Sequence, residues 1–535
     1  MALKLELIRP EIALFIAACI VMIVGLSKQH ATRTACAWIC GVGLVVAGFL
    51  AATTPVPRIA TGAGLMPELI PYAKTLIAAA ALPILLLLTG TVDRDYEHRV
   101  ARGERFDPIR ATRGEFYAFF LFSVMGVMLC ASADDLIWLF LALELTSLPT
   151  YIMVAISTSR LRSQEAAVKY FFLGAFGAAM FLYGFAMLYG ATGTTMLLQM
   201  ARSFGEHGVG TLAVVGMLFA IIGVGFKIAA VPMHFYTPDV YQGASAPVAA
   251  HLAFAPKAAG FLTLILLLTT LGWSALPAVG GPGLPEPIRV ALWVMAALTM
   301  TVGNVMAILQ TSIKRILAYS SVAHSGYMLV GLIAGPGDGS LWRNGLAASL
   351  FYLLSYAAMN LGAFAVLACV ERRARGSDEH AEIETVEDLR GLCRTQPALG
   401  WTMVVCALSL LGFPPLLGFF AKLFLFTSAI SAGELPLAVV MGVNSAIAAF
   451  YYLRLVSAAY FDDRDERLPS GHVTPFSGRV FAAVASALST VALLPFIGPL
   501  HAAGRRAVST PAPVAQAPAD AHAPPTRAAA AASDR

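Results

Sequence analysis

The chain has 535 residues, 58% of them hydrophobic and 13% charged, with a formal net charge of +5 and a mean hydropathy of +0.75. So apolar a composition excludes a water-soluble globular domain and places the chain in a bilayer as a polytopic protein. The positive balance is read as a topology signal and gives no argument for nucleic acid.

Apolar stretches of about twenty residues predict about fourteen membrane helices. They fall near 9–27, 33–54, 69–91, 113–131, 135–157, 164–189, 211–231, 247–271, 288–309, 313–334, 343–371, 397–429, 433–460 and 475–501. The runs are continuous, not alternating, which excludes a β-barrel. The first run follows Lys4, Glu6 and Glu11 and lacks a small-residue cleavage site, so it is expected to stay as a helix.

Basic residues orient this bundle. With the N-terminus outside, the inner loops hold 21 of the 36 Lys and Arg, the outer segments and tails 10, and the helices 5. That asymmetry obeys the positive-inside rule and places both termini on the outer side. Two excursions from the membrane stand out. The inner loop at 371–394 is dense in both charge signs, and the tail at 502–535, rich in alanine and proline, is expected to be disordered. The charged loop at 92–112 reads as a solvated surface or a docking face for a neighbouring subunit.

The seven cysteines lie mostly in helices without a Cys-x-x-Cys pair, and Cys36 and Cys40, one turn apart, read as small packing residues. No metal or redox cofactor is implied. The chain also lacks a Walker sequence and a soluble dinucleotide-binding unit.

The ionisable residues inside the helices are Lys74, Glu144, Lys169, Lys227, His251, Lys257, His324 and Lys422. A charge at the bilayer centre costs about 2.5–3.5 kcal/mol on insertion scales, so such residues usually face the bundle interior and carry function. Glu144, in LFLALELTSLPTY, lacks a local partner, and Lys227 is its natural counter-ion. A carboxylate that approaches or leaves a buried lysine loads or discharges it; a fixed ion pair is the bland alternative.

Gly223 and Gly225 precede Lys227, Pro232 follows, and the polar HFYTPDVYQG then interrupts the apolar run. Lys422 follows Gly412, Pro414, Pro415 and Gly418. Both helices are expected to be broken in the membrane, a mark of transporter cores. Lys257, just after Pro256, is placed as a central stepping stone, with Lys422 on the exit side. His251 suits a relay or a hydrogen-bonded interface equally. Lys169 shares a helix face with Glu165, so a surface pair competes with a relay role. Lys74 reads as an interface anchor. His324, beside serines and Tyr327, extends a hydrogen-bonded wire or serves interhelical packing.

ELTSLPTYIMVA, SQEAAVKYFFLGAFGAAMFLYGFAMLYGATGT, FKIAAVPMHFYTPDVYQGASAPVAAHLAFAPKAAGF, GNVMAILQTSIKRILAYSSVAHSGYMLVG and GFPPLLGFFAKLFLF carry a resemblance that spans the fourth to the thirteenth helix. Together they resemble the antiporter-like membrane subunits of proton-translocating NADH:quinone oxidoreductase, respiratory complex I. TPDVYQGASAP, Lys257 and Lys422 are more similar to subunit N than to L or M.

The resemblance implies an all-α fold with two inverted five-helix repeats, each with a broken helix. Residues 1–110 form an N-terminal three-helix segment, 111–271 the first repeat, 288–460 the second, and 475–501 a last helix. It implies that Glu144 and Lys227 form a modulating pair, with Lys257 the relay, Lys422 the terminal lysine and Lys169 a further matching lysine. It also implies other complex I subunits as partners, which carry NADH, FMN, iron–sulfur clusters and quinone, and a bacterial inner membrane as location. Tyr236 stands where the family often has tryptophan. A cation/proton antiporter subunit working without redox partners would use the same machinery. A purely structural anchor would leave the buried lysines unexplained.

Overall fold

The computed structural model describes residues 2–54, 65–158, 161–272, 284–337, 340, 342–373, 380–463, 471–473 and 477–509. The expected tail beyond 509 lies outside the described residues; before it, the last helix runs on to Ala507, six residues past the expected bound of 501.

The apolar runs fold as helices α1 (Arg9–Gly25), α2 (His30–Ala52), α3 (Leu69–Leu88), α4 (Arg113–Ala131), α5 (Leu136–Ile156), α6 (Leu161–Thr192), α7 (Thr211–Lys227), α8 (Thr237–Gly243), α9 (Ala246–Thr270), α10 (Glu286–Ile308), α11 (Ile313–Ala334), α12 (Gly345–Cys369), α13 (Pro397–Leu411), α14 (Leu417–Ser431), α15 (Leu435–Tyr460), α16 (Ser477–Ala492) and α17 (Ile497–Ala507). Among the described residues, ten are long and apolar enough to cross a membrane, or eleven when α16 and α17, bent by 50°, count as one span. The expected fourteen included α1 and α7, each of 17 residues, and the run at 397–429. That run splits into α13 and α14 at Gly412–Leu416, so neither piece reaches the length of a span.

The chain follows the same order twice. Three helices, a broken helix and a long helix run from α4 to α9, and again from α10 to α15.

Helices α9 and α11 have fully buried apolar windows, and α12 is almost as deeply enclosed. Polar groups on them therefore face protein and not lipid. Helices α6 and α7 approach closely because small residues line the seam: a Cβ on Gly223 would run into the backbone nitrogen of Phe181.

The described residues of the charged excursions form regular structure. Strands β1 (Val370–Arg373), β2 (His380–Glu382) and β3 (Gly471–Val473) form an antiparallel sheet in the order β2-β1-β3, pairing Glu371 with Glu382 and Val370 with Val473. Arg94 in the 92–112 loop holds Glu371 through two bonds of 2.7 and 2.8 Å. Nearby, Glu97 pairs with the buried Arg33. Burial alone would raise the Glu97 carboxyl, but the Arg33 hydrogen bonds and the charges of Arg113, Arg33 and His30 hold it below its ordinary value.

The candidate proton path

Helix α7 ends at Lys227, and the backbone then leaves helical geometry until Thr237. Ala229 is held at φ 55°, a left-handed conformation uncommon for a residue with a side chain. The freed groups find partners around it. Ala230 N bonds Gly225 O at 2.8 Å, and Val231 N bonds Thr299 Oγ1 of α10 at 2.9 Å. The Tyr236 hydroxyl donates to Phe226 O at 2.8 Å while its ring stacks on Tyr170 at 5.1 Å. Tyrosine at 236 thus keeps an aromatic interface.

Inside this break Lys227 is buried, with its Nζ 3.0 Å from Glu144 Oε1 and 2.7 Å from Ser147 Oγ, both on α5. Ser147 lies three residues after Glu144 and shares its helix face. The carboxylate is the partner that rarity of charge points to; the hydroxyl is a second one, and only its three-residue spacing from Glu144 signals it. Glu144 keeps 18% side-chain exposure against 1% for Lys227, so the acid lies nearer the surface of the chain than the amine.

Lys257, buried on α9, points toward α11. Its Nζ donates to Ser321 O and, at 2.5 Å, to Ser325 Oγ. Ser325 Oγ in turn donates to Ile228 O at 2.5 Å. One hydroxyl therefore joins the central lysine to the break that begins at Lys227. Ser321 and Ser325 are one turn apart on α11, and SSVAHS carried that spacing in plain view.

His324 is buried between Tyr352, 2.6 Å from Nδ1, and Tyr452, 2.8 Å from Nε2. The Tyr327 ring lies 5.7 Å from the imidazole. Tyr452 also bonds Ser320, and the Tyr356 ring lies 5.0 Å from the imidazole and 5.7 Å from Lys257 Nζ. These tyrosines stand far from His324 in sequence, so local pattern gave no notice of them.

Lys422 is buried in α14, past the break at Gly412–Leu416. Its Nζ donates to Leu411 O at 2.7 Å, the last residue of α13, and lies 4.9 Å over the Tyr327 ring. Gly412 sits at φ 89°, and a Cβ there would meet the Lys422 stem at 3.0 Å. Tyr327 accepts from Asn304 at 3.0 Å, and Asn304 also contacts Asn444 and Tyr451.

The other candidates lie apart from this chain of contacts. His251 is buried with Nε2 3.0 Å from Ser123 Oγ, which donates to Thr146 O, so it faces α4 and α5. Lys169 is 44% exposed and pairs with Glu165 at 2.8 Å and Asp239 at 3.1 Å; Asp239 also binds Arg315. Lys74 corrects the reading as an interface anchor. It is buried, 2.7 Å from Glu11 Oε1 and 2.6 Å from Leu7 O, because α1 brings a carboxylate that the third helix alone does not reveal.

Among the described residues, no group of three or more His, Cys, Asp or Glu is arranged to hold a metal ion. The arrangement is a row of buried amines and hydroxyls running from one helix break to the other.

The family model described as NADH:quinone oxidoreductase/Mrp antiporter, TM, matches residues 133–448. NADH-quinone oxidoreductase subunit N of Trichlorobacter lovleyi is 37% identical over 477 residues, covering 88% of this chain and 91% of the relative. A chain of respiratory complex I from Thermus thermophilus, 32% identical, superposes with a TM-score of 0.71 over 92% of this chain and 100% of its own length. A chain of the Mrp complex from Dietzia, 20% identical, shares the fold with a TM-score of 0.71 over 95% of this chain and 97% of its own. The buried lysines, the two broken helices and these likenesses together settle the family: this chain belongs to the NADH:quinone oxidoreductase/Mrp antiporter membrane subunits, in the branch of the subunit N relatives.

Proposed function

We propose that this chain is the subunit N of a proton-translocating NADH:quinone oxidoreductase, and that it moves protons through Glu144, Lys227, Lys257 and Lys422. The observation that carries the reading is the pair of buried Lys227 and partly buried Glu144 at 3.0 Å, joined through the Ile228 carbonyl and Ser325 to Lys257.

In this reading a proton reaches Lys227 from the inner side while Glu144 stabilises the ammonium. Separation of that pair lowers the affinity of Lys227 for its proton. The proton passes to Lys257, then by way of His324 and its tyrosines to Lys422, and leaves on the outer side. His251 and Lys169 are assigned supporting places at the margins of this path. The 111–271 and 288–460 repeats each contribute one broken-helix lysine.

Moving one charge against the membrane potential costs about 2.3 kcal/mol per 100 mV. Electron transfer from NADH to quinone supplies that energy, with FMN and iron–sulfur clusters on other subunits of the complex. The location follows as the inner membrane of a bacterium, both termini outside.

The test is to purify the assembly that contains this chain and measure NADH-driven quinone reduction with proton uptake in proteoliposomes. Redox-driven transport with co-purifying flavin and iron–sulfur subunits is the expected result. Proton-driven sodium transport by the chain without NADH or quinone would replace this reading with that of a free-standing antiporter subunit.

A further inference from the structure

Helix α9, which carries Lys257, begins without a cap of its own: Ser245 precedes it but makes no side-chain capping bond. The first amides of a helix lack intrahelical acceptors, and a carboxylate is favoured there by the helix dipole. The acceptor comes from Glu382 in β2, 136 residues away, whose two oxygens stand 3.0 and 3.1 Å from Ala246 N. The same carboxylate lies 2.5 Å from Lys314 Nζ, in the first turn of α11, and Lys314 also donates to Ala244 O at 2.8 Å.

The backbone beyond Glu382 is fastened to the same place. Ile313 N donates to Glu384 O at 2.8 Å, and Val386 N to Thr311 O at 3.3 Å. The Glu384 side chain receives Gln242 Nε2 of α8 at 2.7 Å. One short segment of the charged 371–394 loop thus ties together the ends of α8, α9 and α11. Helices α9 and α11 supply the two sides of the contact between Lys257 and Ser321 and Ser325. Their mutual register decides whether that contact exists.

We propose that Glu382 is a positioning residue for the central relay: its carboxylate caps α9 and anchors Lys314, setting the register of α9 against α11 at Lys257. The inference deepens the proposed function and rests on Lys257 being the relay. It gives the charged inner loop a role beyond solvation, since a movement of β2 is transmitted to both helices at once. A misplacement of about 1 Å at a reacting group costs about a hundredfold in rate.

The experiment uses the whole complex in proteoliposomes and reads protons moved per NADH oxidised, with native gels to measure assembly. Glu382→Gln is expected to lower this ratio toward that of Lys257→Ala while electron transfer and assembly hold. Glu382→Asp, which keeps the carboxylate, is expected to restore it in large part. The double reversal Glu382→Lys with Lys314→Glu keeps an ion pair but sets an ammonium at the start of α9, and it is expected not to restore the ratio. An unchanged ratio in Glu382→Gln, or full recovery in the double reversal, overturns the proposal. Should Glu382→Gln fail to assemble, Glu382→Asp decides: a parental ratio supports the carboxylate requirement if the double reversal assembles and stays low, and equal recovery in both overturns it. If Lys257→Ala itself keeps the parental ratio, the relay reading fails; if it lowers the ratio and Glu382→Gln does not, only the positioning role fails.

Discussion

Lys257 Nζ donates to Ser325 Oγ at 2.5 Å, and that same hydroxyl donates to the carbonyl of Ile228, the residue after Lys227. The break after Lys227 and the amine of Lys257 are therefore linked through a side chain of α11. A hydrogen bond to a charged group contributes about 1.5–3 kcal/mol. Ser325→Ala is expected to slow proton transfer at Lys257 by about tenfold or more. Ser325→Thr, which keeps a hydroxyl, is expected to lose less. Proton uptake rates in proteoliposomes at matched NADH oxidation check this.

Glu144 and Lys227 form a pair in which removal of Glu144 strands the ammonium of Lys227 in a buried site. Such a loss costs about 3–5 kcal/mol. Glu144→Ala is expected both to lower the thermal stability of the purified complex and to reduce proton transport. Glu144→Asp is expected to retain part of each. Thermal unfolding followed with the transport assay would reveal a stable, fully active Glu144→Ala complex if the pair has no role.

Glu11 and Lys74 form a second buried pair, outside the two repeats. Replacing a buried ion pair by apolar residues of similar volume is often neutral or stabilising, while breaking it is costly. Lys74→Met is accordingly expected to destabilise the complex by about 3–5 kcal/mol, and Glu11→Leu with Lys74→Met to recover most of that loss. Proton transport is expected to survive in the double variant. A double variant as unstable as the single one would show that the pair is not what holds α1 to α3.

The Glu97 carboxyl is held below its ordinary value of 4.5 by the Arg33 hydrogen bonds and neighbouring charges, against the opposing effect of burial. A depressed folded-state value means the stabilisation is complete above the unfolded-state value and disappears as pH falls through the folded one. Glu97→Gln is therefore expected to lower stability near neutral pH and to flatten its decline below about pH 4.5. Unfolding midpoints of the purified complex across an acid series measure the slope.

The candidate site is legible in the sequence where charge is rare. Glu144, Lys227, Lys257 and Lys422 stand out because a lone ionisable group in an apolar run has no ordinary explanation. Glycine and proline announced both helix breaks. Lys74 was misread because its partner lies on α1, and a single helix does not say what packs against it. Tyr352 and Tyr452 were invisible for a similar reason: a tyrosine in an apolar helix is unremarkable until the fold brings it to His324. Strands β1, β2 and β3, of three or four residues each and paired across long separations, left no alternation long enough to read.

Proton transport along this path requires Lys227 to change its protonation during turnover. The most direct measurement is the proton-to-electron ratio of the assembled complex carrying Lys227→Ala, with assembly confirmed by native gels. A reduced ratio at intact NADH oxidation, or a coupled loss of both, is the predicted result. The parental ratio at the parental rate would contradict it.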